Sequence, residues 1–120
     1  MQVGILQAEL CIDGSQSLKD KRRVVSSLKD RLHREFQVSV AEVDALDNHR
    51  KAIIGITMAS NSTTHCHQVL DTILDRLRDA RGCYLQDHAK EVLAGAYPPE
   101  FPNLVLPNRM TDRVTSSQRR

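Results

Sequence analysis

The stretch Ser17-Leu18-Lys19-Asp20-Lys21-Arg22-Arg23-Val24-Val25 decides how the chain is read. Ser17 with Asp20 three residues on resembles a capping box, with Asp in the usual Glu position, and so starts a helix. An apolar stripe at Leu18, Val25, Leu28, Leu32 and Phe36 carries that helix to about Phe36. Lys21 falls on the same stripe, where a buried ammonium is costly unless it is paired or its stem snorkels to water.

Before this helix, residues 2–12 alternate, with Gly4, Leu6, Ala8, Leu10 and Ile12 on one face and Val3, Ile5, Gln7, Glu9 and Cys11 on the other. That period of two predicts a strand with one well-buried face, and Asp13-Gly14-Ser15 supplies the turn into the helix. A Val-rich run, 37–45, predicts a second strand, and 51–59, with Ile53, Ile54, Ile56 and Met58, predicts a central third. Asn61-Ser62-Thr63-Thr64 offers several N-caps to a second helix, whose apolar face is Cys66, Val69, Leu70, Ile73, Leu74 and Leu77. Gly82 is expected to close it as a C-cap, and residues 83–93 alternate again as a fourth strand. The order β-α-β-β-α-β predicts an α+β, ferredoxin-like sandwich: a four-stranded antiparallel sheet with two helices on one face and the other face open.

Residues 1–94 are expected to form this domain. Residues 95–120 hold all four prolines and end in a polar, basic run, so they are expected to be an extended or disordered tail. The formal charge is +2. Four arginines against Glu100 and Asp112 place that surplus in 95–120, so the rest of the chain is neutral overall. Within the neutral body, residues 17–36 carry seven Lys and Arg against Asp20, Asp30 and Glu35, a local +4. Such a concentration can steer an anionic partner despite the small net charge. Three widely spaced cysteines without a CxxC argue against a disulfide framework. With no basic n-region at the start and no apolar run of membrane-spanning length, a cytoplasmic protein without membrane association is expected.

Ser17-Leu18-Lys19-Asp20-Lys21-Arg22-Arg23, together with Val38-Ser39-Val40-Ala41-Glu42-Val43-Asp44 and Lys51-Ala52, resembles the YlxP-like family, small bacterial proteins of unknown function. The resemblance covers roughly residues 1–93. It implies the ferredoxin-like fold and a genomic setting beside transcription-elongation, translation-initiation and ribosome-maturation genes. The family usually shows an aromatic near position 49, where this chain has His49.

Lys19, Arg22, Arg23 and Arg34 project to one solvent side of the first helix, with Arg31 at its margin. They read either as a phosphate-contacting face for structured or ribosomal RNA or as an ordinary solvated face. Lys21 is read as structural, its ammonium emerging at the helix start or pairing with an acid on a strand, or else as a site residue facing a cleft. Alternation puts Glu42 and Asp44 on one face near Asp47 and His49, without the spacing of a metal site. In His65-Cys66-His67, Cys66 begins the apolar stripe and the histidines fall about 100° away on either side, so a core thiol with two surface histidines is expected. The open face carries Gln7 and Glu9 with either Ile54, Ile56 and Met58 or Ile53 and Thr57; it lacks the aromatic pairs that stack bases. No catalytic set, metal site or cofactor motif is present, so no cofactor is expected. The sequence therefore supports a non-enzymatic accessory protein that contacts RNA through its first helix. The alternative is an oligomeric module, such as a dimer, using the open sheet face to bind protein or a small molecule.

Overall fold

A computed structural model describes residues 1–94; the tail expected at 95–120 lies outside the described residues. Six elements follow one another: β1 (Gln2–Ile12), α1 (Leu18–Phe36), β2 (Ser39–Asp44), β3 (Lys51–Ser60), α2 (Thr63–Arg78) and β4 (Cys83–Ala94). The sheet order is β2-β3-β1-β4, with each neighbouring pair antiparallel. This is the expected ferredoxin-like arrangement. Both helices lie on the face of Leu6, Ala8, Leu10, Ala52, Ile54 and Ile56, against which Val25, Leu28, Leu32, Leu70, Ile73 and Leu77 pack.

The first helix begins where its cap predicts. Ser17 Oγ accepts from the Asp20 N–H at 3.2 Å, and Asp20 Oδ2 accepts from the Gln16 N–H at 2.9 Å. The acid of the box thus meets the N–H of the residue before the cap and not that of the cap itself. α1 ends at Gln37, whose φ of 55° turns the chain left-handed, and β2 therefore starts at Ser39 and not at 37.

Two expectations are corrected. Gly82 does not cap α2: Asp79 does, with its N–H shared among carbonyls of the last turn. Gly82, at φ +82°, instead makes the turn into β4. Glu42 and Asp44 do not share a face, because the register shifts between them. Glu42 stays opposite Ile54 on the helix side, whereas Asp44 comes opposite Ile53 on the open side. The irregular residue, Val43, lies over Gly55, where a Cβ would meet Val43 Cγ1 at 2.8 Å. Of the two sets weighed for the open face, Ile53 and Thr57 occupy it, and Ile54 and Ile56 are fully buried.

Candidate functional site: the basic helix and its surroundings

α1 carries all the basic residues singled out in the sequence, and the fold divides them. Lys21 is 1% exposed. Its Nζ donates to the carbonyls of Ala45 at 2.9 Å, Lys51 at 3.2 Å and Leu46 at 3.3 Å, and lies 2.7 Å from Glu42 Oε2. The three carbonyls take the three protons, so the Glu42 contact is an ion pair and not a fourth directed hydrogen bond. The stem does not carry the ammonium out to water; the β2–β3 hairpin folds over it. Ala45 explains part of this grip. It is left-handed at φ 57°, a conformation that costs a non-glycine residue roughly 1–2 kcal/mol. Its carbonyl accepts both from Lys21 and from the Asn48 N–H, which offsets that cost. Of the remaining hairpin acids, Asp44 accepts from the Ala45 N–H at 2.7 Å, and Asp47 is exposed.

Lys19, Arg22, Arg23 and Arg34 are all exposed, and none forms an ion pair among the described residues. Elsewhere, cations are commonly engaged: Lys51 with Glu9, Arg76 with Glu35, Arg78 with Asp75 and Lys90 with Asp71. Arg34 bonds only to the carbonyl of Asp30 in its own helix. The outer side of α1 therefore presents cations whose charge is not consumed within the described domain.

The structure also brings in Ser27, Asp79 and Arg81, which sequence reading does not single out. Arg23, Ser27 and Arg31 follow at intervals of four and form a stripe along the flank of α1. Together with Val24, and with Asp79 and Arg81 from the α2–β4 turn, they line an open concavity of about 500 Å³. Burial pushes the Cys83 thiol up; the Asp13 charge adds to this, and Arg31 draws it back down.

Cys66 is buried at the start of α2, and His65 and His67 are exposed on either side. Among the described residues no group of three His, Cys, Asp or Glu side chains is placed to hold a metal ion. No described helix is long and apolar enough to cross a membrane. Among the described residues the open sheet face holds one exposed aromatic, Tyr84, whose phenol is pushed up by its contact with the Cys11 thiol.

Comparison with known proteins agrees with the resemblance seen in the sequence. The family model described as "Protein of unknown function (DUF503)" matches residues 3–89, and the chain belongs to that family. The uncharacterized protein YlxP of Bacillus subtilis (strain 168) is 29% identical over 72 residues, covering 60% of this chain and 78% of that protein. A de novo designed protein with ferredoxin fold superposes with a TM-score of 0.55 at 12% identity, covering 81% of this chain and 91% of the other. A cofactor-independent oxygenase from Streptomyces nogalater gives a TM-score of 0.45 at 9% identity, with 82% and 97% covered. At 12% identity the likeness to the designed protein extends to the fold alone.

Proposed function

We propose that this member of the DUF503 family is a non-enzymatic cytoplasmic accessory protein that docks on structured RNA through the outer side of α1. The observation that carries the reading is the set of exposed cations on α1, Lys19, Arg22, Arg23 and Arg34, without ion-pair partners among the described residues, on a body whose charges over residues 1–94 otherwise sum to an acidic balance. Arginine and lysine presented this way match phosphate oxygens, and a sheet with Tyr84 as its exposed aromatic suits recognition by shape and backbone more than base stacking. Lys21 is held between α1 and the hairpin, which supports a structural role and leaves RNA binding to its neighbours.

The test is fluorescence anisotropy with a labelled RNA duplex across a salt series. Replacing Lys19, Arg22 and Arg34 together by Ala is expected to weaken binding about 10- to 100-fold and to flatten the salt dependence by nearly one unit for each cation removed. Unchanged affinity at physiological salt would end this reading.

A second reading rests on a different surface. Val43, Tyr84 and Leu93, at 52%, 50% and 44% exposure, lie on the open sheet face beside Val3, Ile5 and Ile53. Covering this face with a second copy gives a homodimer. A monomer in light scattering at micromolar concentration would refute it.

A further inference from the structure

We propose that Arg23, Ser27 and Arg31 of α1, joined by Arg81 from the α2–β4 turn, form a phosphate-binding pocket. The inference deepens the RNA reading above, on which its choice of ligand rests, and it assigns residues from two elements to one ligand group.

The concavity is bounded by three arginines and by Asp79, a formal +2, with Ser27 adding a hydroxyl donor. None of the three arginines forms an ion pair among the described residues, and none donates a side-chain hydrogen bond there. Like charges gathered round one hollow repel each other, and an anion seated between them removes that repulsion. Guanidinium groups, with their fixed forks of N–H donors, match the tetrahedral oxygens of phosphate.

The turn that carries Arg81 is held in place before any ligand arrives. Gly82, at φ +82°, lies against α1 close enough that a Cβ there would contact the Val24 side chain at 3.6 Å. The Gly82 carbonyl accepts from the Asp13 N–H at 2.9 Å, which ties the turn to the end of β1. The α1 side is equally fixed, since Val25 and Leu28, one residue after Val24 and Ser27, are buried in the core. Arg81 therefore faces the stripe without ordering a loop, and little backbone entropy is lost on binding.

The ligand is a phosphate oxygen group. A backbone phosphodiester and a terminal 5′-phosphate share that chemistry, and the experiment separates them. The full chain is titrated with inorganic phosphate and followed by amide NMR; in parallel, its affinity is measured for RNA duplexes with and without a 5′-phosphate. Saturable shifts are expected at Arg23, Ser27, Arg31 and Arg81. They should vanish in Arg31→Ala and Arg81→Ala and return in part in Arg81→Lys. Arg81 is exposed, so the rest of the spectrum reports an intact fold. Arg81→Ala is also expected to weaken duplex binding about tenfold and to lower the salt slope by about one. An equal loss for both duplexes identifies the backbone as the source; a loss confined to the 5′-phosphorylated duplex identifies the terminal group. Absence of saturable shifts at these residues, or shifts unchanged in Arg81→Ala, overturns the pocket, even where Lys19, Arg22 and Arg34 prove to bind RNA. Phosphate shifts without duplex binding uphold the pocket and overturn the RNA reading.

Discussion

Replacing Lys21 by methionine removes the ammonium and keeps a stem of similar length in the core. Three carbonyl acceptors, those of Ala45, Leu46 and Lys51, lose their donor at once, and the Glu42 carboxylate loses its counter-charge. Breaking a buried ion pair by deleting one member costs about 3–5 kcal/mol, because the other charge stays behind. Glu42 is 15% exposed and Leu46 lies at the surface, so part of that loss is recovered by water. The expected destabilisation is thus in the lower part of the range, about 3 kcal/mol, against a total stability for a domain of this kind of about 5–15 kcal/mol. Urea unfolding followed by circular dichroism measures it. With a slope of about 1.5 kcal/mol per molar, the midpoint should fall by about 2 M. Adding Glu42→Gln to Lys21→Met removes the stranded carboxylate charge, and the double variant should be more stable than the sum of the single losses by about 1 kcal/mol or more. A Lys21→Met midpoint within about 0.5 M of the parent, or strict additivity with Glu42→Gln, would refute the structural role. Lys21 would then be free to act on a ligand.

Three further outcomes are expected. Gly55→Ala places a Cβ against Val43 Cγ1, a stiff β-branched neighbour, and should cost about 1–2 kcal/mol in thermal or urea unfolding, most of it regained in Gly55→Ala/Val43→Ala. Ala45→Gly relieves a left-handed alanine and should raise the urea midpoint, with up to about 1 kcal/mol gained; a loss above that would show that the hairpin conformation differs. Under native conditions a thiol reagent should modify Cys11 first, with Cys66 and Cys83 reacting only on unfolding. Burial raises the Cys83 pKa in the folded state, so the unfolded chain loses this proton first as pH rises. Stability should therefore decline above the ordinary thiol range, and less so in Cys83→Ala once its own packing loss is subtracted.

The elements were legible where one residue's neighbours along the chain decide its state. Ser17 and Asp20 mark the start of α1 because capping is satisfied within four residues, and the alternation in 2–12 identifies the buried face of β1 because successive side chains of a strand point opposite ways. The hairpin was misread because a single irregular residue reverses the alternation. Val43 is accommodated only because Gly55, on the neighbouring strand, has no Cβ, and nothing in the order of residues 39–44 announces that partner. Gly82 illustrates the same limit. Its glycine signals a left-handed turn, but whether the turn ends the helix or begins the next strand depended on Asp79 taking the cap.

The candidate site follows the same division. Spacing and composition are enough to establish that α1 is a basic helix, that Lys21 sits on its apolar stripe, and that the local +4 is balanced by acids elsewhere in residues 1–94. The tertiary structure alone decided what those charges meet. Lys21 finds Glu42 and three hairpin carbonyls because β2 and β3 pack over the start of α1, bringing in partners more than twenty residues away in the chain. Arg81 lines a hollow with Arg23 and Arg31 because the α2–β4 turn is tied down against Val24 and Asp13. A helical period fixes which side of its own helix a cation occupies; only the packing of other elements fixes whether that side is neutralised, buried or left to face a phosphate.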